Sequence, residues 1–117
     1  MAKNYIQPGN TISWTNADVT GAVDVASGDG VVAGSLFGVA QGDIAVGDSG
    51  ELGLIGVYDL EKVSAQAWTF GQRIYWDATA GNATTTASSN KLIGVAVEAA
   101  ANPSATGKVR LSAAFTI

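Results

Sequence analysis

The chain has 117 residues, ten carboxylates against six cations, a net charge of −4, and neither cysteine nor histidine. That length makes one domain with a modest core, and the missing cysteines exclude disulfides and thiolate metal sites. An acidic chain with a pI near 4.4 lacks the basic stripe that nucleic-acid binding needs.

Met1 to Asn10 reads as an N-terminal arm with a Pro8-Gly9 turn, preceding a single β-barrel domain that completes residues 1–117. Thr11-Ile12-Ser13-Trp14 alternates as a strand does. Val19, Val23 and Val25 are β-branched, and Ser27-Gly28-Asp29-Gly30 closes their segment with a turn. Val31-Val32 and Leu36 to Ala40 predict two short strands joined around Gly34-Ser35. Residues 41–50 are turn chemistry around Ile44 and Val46. Glu51 to Tyr58 predicts one strand carrying Gly53 and Gly56. In Asp59 to Trp68, Leu60, Val63, Ala67 and Trp68 fall near helical spacing, so one short helical turn is expected there. Ile74-Tyr75-Trp76 predicts a strand that turns at Asp77–Asn82 and returns through Ala83–Thr86. Leu92 to Glu98 predicts another, with Ile93, Val95 and Val97 on one face. The last strand runs from Lys108 to Ile117, with Val109, Leu111, Ala113 and Phe115 pointing one way.

One phrase occurs twice. A Gly-turn at 27–30, Leu36-Phe37-Gly38-Val39-Ala40 and Gly50 to Leu54 are answered by a Gly-turn at 70–73, Leu92 to Val97 and Gly107 to Leu111. The chain therefore reads as all-β, a small barrel of short strands with an internal pseudo-repeat. The aliphatic-Gly-Val groups at Gly38, Gly56 and Gly94 read as one bend used three times, as closing a small barrel requires.

The chemistry of catalysis is thin. Without histidine or cysteine, the commonest general base, metal ligand and nucleophile are missing. Asp24 and Asp29, Asp43, Asp48 and Glu51, and Asp59 and Glu61 lie beside turn residues and read as solvated turn carboxylates. The 41–51 loop is the one candidate for an ion, although EF-hand spacing is absent. Gly107-Lys108-Val109 lacks the rest of a Walker motif. Trp14, Trp68, Tyr75 and Trp76 read as core or subunit-interface rings rather than stacking platforms. The six cations are scattered along the chain. No catalytic residue, cofactor or metal site is expected, nor a membrane partner: no apolar run approaches the roughly 18 residues needed to cross a bilayer, and the N-terminus lacks a signal-peptide core.

Met1 to Gly9, Ser27 to Val32, Gly38-Val39-Ala40, Ile74-Tyr75-Trp76-Asp77 and Leu92 to Ala100 together resemble a family of small tailed-phage capsid cement, or decoration, proteins. The resemblance covers essentially the whole chain and is loosest over residues 41–69. It implies a protein made in the bacterial host cytoplasm that sits as a homotrimer on the outer surface of the virion, bound to the major capsid protein and bracing an expanded head against DNA pressure. Tyr5, Ile6, Pro8, Ile12 and Trp14 are the candidate capsid or subunit contacts. The arm either adds to a coat strand or pairs with its own barrel or a neighbouring subunit. Some family members carry a RecA/RadA-like recombinase label, and the alternative it raises is a nucleic-acid accessory factor. The missing phosphate loop, the short length and the acidity speak against that alternative.

Overall fold

Short alternating runs punctuated by glycine turns give nine strands among the described residues of this computed structural model, which are 4, 9–17 and 21–111. They are β1 (Thr11–Thr15), β2 (Gly30–Ala33), β3 (Leu36–Ala40), β4 (Ser49–Gly53), β5 (Val57–Glu61), β6 (Arg73–Asp77), β7 (Asn82–Thr84), β8 (Lys91–Ala96) and β9 (Thr106–Leu111). All pairings between them are antiparallel, in two sheets ordered β1-β4-β3-β2 and β5-β9-β8-β6-β7. The second sheet curls until Lys62, just beyond β5, forms a parallel bridge with Ala83 of β7. The result is the expected all-β, barrel-like fold.

The repeated phrase is a repeated structure. Each copy is a three-stranded meander, β2-β3-β4 or β6-β8-β9, with the preceding strand added beside the last one. Register agrees up to a shift after Ile74: Gly30↔Val39 and Thr11↔Gly53 in the first unit match Arg73↔Val95 and Val57↔Arg110 in the second. The turns agree as well. The Gly28 amide bonds the Ala40 carbonyl and the Ala40 amide returns to Asp29; Gly71, Ala96 and Gln72 do the same. Gly28 and Gly71 sit at φ 90° and 83°, a left-handed conformation that only glycine adopts without strain. Even the isolated bridges correspond, Val25↔Ile44 with Trp68↔Ala100. Among the described residues, β7 has no counterpart in the first unit.

Two clusters are buried. Val31, Ala40, Ile44, Leu52 and Leu54 fill the first unit, with Ile12, Trp14 and Val25 packed at their edge. Leu60, Trp68, Ile74, Ala96, Val109 and Leu111 fill the second, and its cluster continues through Trp76 onto Phe37 and Val39 of β3. The Phe37 and Trp76 rings lie 5.2 Å apart at 50°, which joins the units.

Several expectations are corrected. Residues 59–68 form no helical turn: β9 offers a free edge, so residues 57–61 pair with it and Leu60 turns inward by strand alternation. Glu51 to Tyr58 is not one strand, because the chain leaves the first sheet after Gly53 and enters the second at Val57. Gly56, at φ 113°, lies in that crossing, whereas Gly38 and Gly94 sit within β3 and β8; the three are not one bend. A register shift opposite Ile74 and Tyr75 turns Ile93 and Ala96 inward and leaves Val95 half-buried, so Ile93, Val95 and Val97 do not share a face. Thr85 and Thr86 lie beyond β7, and Ala113 and Phe115 fall outside the described residues.

Candidate interaction surfaces

Four of the carboxylates hold loops in place. Asp29 accepts from the Ala26 amide at 3.0 Å, Asp43 from the Ser27 amide at 2.9 Å, and Asp24 from the Val46 amide at 2.9 Å. Asp77 caps its own hairpin through the amides of Thr79 and Ala80. The Asp43 and Asp24 bonds stitch the 24–29 turn to the 43–46 loop, which is the work short acidic side chains do in turns. No group of three or more potential metal ligands occurs among the described residues.

Of the candidate contacts, Tyr5, Ile6 and Pro8 lie outside the described residues. Ile12 and Trp14 are placed together on one face of β1, opposite Leu52 and Gly50 of β4, each half-buried against the first unit's core. Their counterparts in the second unit are Tyr58 and Leu60, and Leu60 is 2% exposed because the closing bridge to β7 seals that end. Among the described residues, the first unit has no such closure. Its seam between β1 and β2 is a cleft lined by Trp14, Asn16, Val23, Val25, Val31 and Trp76. Among the described residues, the outer edge of β1 pairs with no strand. An unpaired edge beside a half-buried tryptophan is a template for an added strand.

The tryptophans separate by role. Trp68 and Trp76 are core, at 1% and 7% exposure, while Trp14 keeps an open side. Among the described residues, the exposed large apolar side chains are Ile55, Val57 and Phe70, of the second unit or the crossing into it, and Val23, beside the first unit's seam.

Strand pairing brings together cations that are far apart in sequence. Arg73 faces Val95, and Val95 faces Arg110, so the two guanidinium side chains flank one valine on the outside of the second sheet. Lys108, two residues along β9, pairs with Asp59 at 3.5 Å. The cations are therefore not simply scattered. The signal lay in two strands sharing a neighbour, which no spacing along the chain reveals.

A family model described as phage cement protein matches residues 6–111. No curated protein and no solved structure matches.

Proposed function

Because the chain belongs to the phage cement protein family, we propose that it docks on the outer surface of an expanded phage head as a homotrimer, bridging neighbouring major capsid subunits. It is a capsid cement protein and not an enzyme, and the observation that carries this is the family match across both repeats. The finer reading is supported by what the surface offers. A low charge content of 14% lets protein surfaces approach closely, and loop carboxylates tied to backbone amides keep the contact surfaces stiff. Stiff surfaces lose little conformational entropy on docking.

The capsid-facing element is the N-terminal arm with β1. Tyr5, Ile6 and Pro8 approach the coat, and Ile12 and Trp14 carry the contact to the open seam of the first unit. The arm's backbone adds to an exposed coat strand, with alternate side chains giving specificity.

The test is co-sedimentation of the purified chain with expanded and unexpanded heads, alongside its mass in free solution. Binding confined to expanded heads, with heads made more resistant to heat, is the expected result. A chain that ignores both kinds of head overturns the reading; ATP hydrolysis or salt-sensitive DNA binding would favour the accessory-factor alternative. Deleting residues 2–9 is expected to abolish head binding and leave the oligomer intact. Unchanged binding would remove the arm from the contact.

A further inference from the structure

The two units expose equivalent faces to different fates. In the first, the row Thr11, Gly53, Val39, Gly30 crosses β1, β4, β3 and β2. Beyond Thr11, which is exposed, it is covered from within the chain: Val39 is 2% exposed, Gly30 lies against the Phe37 and Trp76 rings, and Gly53 lies against Gln41 and the Tyr58 hydroxyl. The equivalent row in the second unit is Val57, Arg110, Val95, Arg73. Val57 is 53% exposed, both arginines are exposed, and Val95 is half-buried. Among the described residues, neither guanidinium has a hydrogen-bond or ion-pair partner. With strands about 4.8 Å apart, the two arginine Cα atoms stand roughly 10 Å from each other across Val95.

Charge divides the same way. Residues 1–54 hold six carboxylates and one lysine, a net −5, while residues 55–117 hold four carboxylates and five cations, a net +1. At the position of Lys108 in β9, the first unit carries Glu51 in β4. Glu51 is exposed, as is Asp48 just before β4, and neither carboxylate has a side-chain partner among the described residues.

We propose that the Val57–Arg110–Val95–Arg73 row is the docking face for a second copy of this chain, whose first unit presents Asp48 and Glu51 to the two arginines. The inference rests on the self-assembling cement reading and assigns its subunit contact. Two unpaired arginines around an apolar centre suit a protein interface, where arginine is enriched over lysine. They are too few for a phosphate backbone, whose binding rests on many neutralised charges. The contact joins the second unit of one copy to the first unit of the next. Such a head-to-tail contact closes into a ring when the rotation between copies allows it.

The experiment is sedimentation velocity of the full chain over a concentration series, at low and high salt, for the wild type, Arg73→Glu/Arg110→Glu and Asp48→Lys/Glu51→Lys. All four side chains are exposed, so circular dichroism and melting temperature should match wild type. Each double variant is expected to self-associate roughly a hundredfold more weakly, since like charges then meet across the contact. Combining all four substitutions in one chain reverses both sides of every contact and should restore association, and raising the salt should weaken the wild-type assembly as screening shortens. A wild type that is monomeric throughout, an arginine variant with unchanged assembly, or a fourfold variant that fails to re-associate overturns the proposal. An arginine variant that keeps its assembly state and loses head binding also overturns it, assigning the row to the coat. Head binding by wild type is scored separately. A chain that assembles through this row and ignores heads leaves the inference standing while the cement reading falls.

Discussion

Asn16 and Lys62 occupy the same position in the two repeats, and both bury a hydrogen-bond donor beneath loop carbonyls. The Asn16 amide bonds the Asp48 carbonyl as the Lys62 amide bonds that of Ala105. The side chains are 6% and 4% exposed. Asn16 Nδ2 donates to the carbonyls of Val23 at 2.8 Å and Ile44 at 3.1 Å. Lys62 Nζ donates to Val63 at 2.9 Å and Ser104 at 3.2 Å, and sits 5.9 Å from the Trp68 ring centre. Different side chains thus perform one task, tying the loops at the end of each unit.

Removing either donor strands its carbonyls. Asn16→Ala is expected to cost about 1–3 kcal/mol, and Lys62→Met a similar or larger amount because hydrogen bonds from charged groups are stronger. Urea unfolding monitored by circular dichroism checks both. A Lys62→Met midpoint equal to wild type would mean that the carbonyls find water instead.

Gly30 makes room for the rings that join the units. A Cβ there would lie 2.8 Å from both Phe37 and Trp76. Gly30→Ala should therefore destabilise by about 1–3 kcal/mol through overpacking, and Gly30→Val by more. Thermal melting measures the loss, and near-ultraviolet circular dichroism should report the displaced Trp76. An unshifted melt would show that the two rings move apart at no cost.

Tryptophan fluorescence distinguishes Trp14 from the core rings. With Trp68 and Trp76 buried, the part of the emission quenched by iodide should come from Trp14, and Trp14→Phe should remove it. Expanded heads should protect that component if β1 faces the coat. Trp68→Ala, by contrast, should cost about 3–5 kcal/mol as a large cavity opens beside Gly107.

The acidic loops are held by backbone amides, so chelation should leave stability unchanged. EDTA and added Ca²⁺ are both expected to leave the melting temperature unmoved. Asp24→Ala and Asp43→Ala should each lower stability by about 1 kcal/mol or somewhat more through loss of a charge-assisted bond. A melting temperature that rises with Ca²⁺ would instead give these loops an ion.

Local chemistry made much of the fold legible. The hairpin around Gly34-Ser35 and the turn at Asp77–Asn82 are written in adjacent residues, and β1 to β3 and β6 follow from alternation. The stretch from Leu52 to Trp68 is different. Leu52, Leu54, Ile55 and Val57 form one apolar run, yet Leu52 and Val57 belong to different sheets, and periodicity does not say which sheet a strand joins. Ile93 was misplaced because one register shift exchanges the faces of β8. The Arg73–Val95–Arg110 row depends on three strands, and buried Lys62 runs against the usual solvation of lysine. Ile12 and Trp14 were recognisable as a strand, but the open seam beside them follows from the missing counterpart of β7.

The hydrogen bonds shared by the two units run between main-chain amides and carbonyls. Almost none of the matched positions needs a particular side chain: Gly30 answers to Arg73, Glu51 to Lys108, Val25 to Trp68. A duplication recorded in the backbone is free to drift in letters while its geometry stays put. Ancestry between halves of such chains will be under-counted by any comparison of residues, and superposing amide-to-carbonyl ladders is the better way to find their kin.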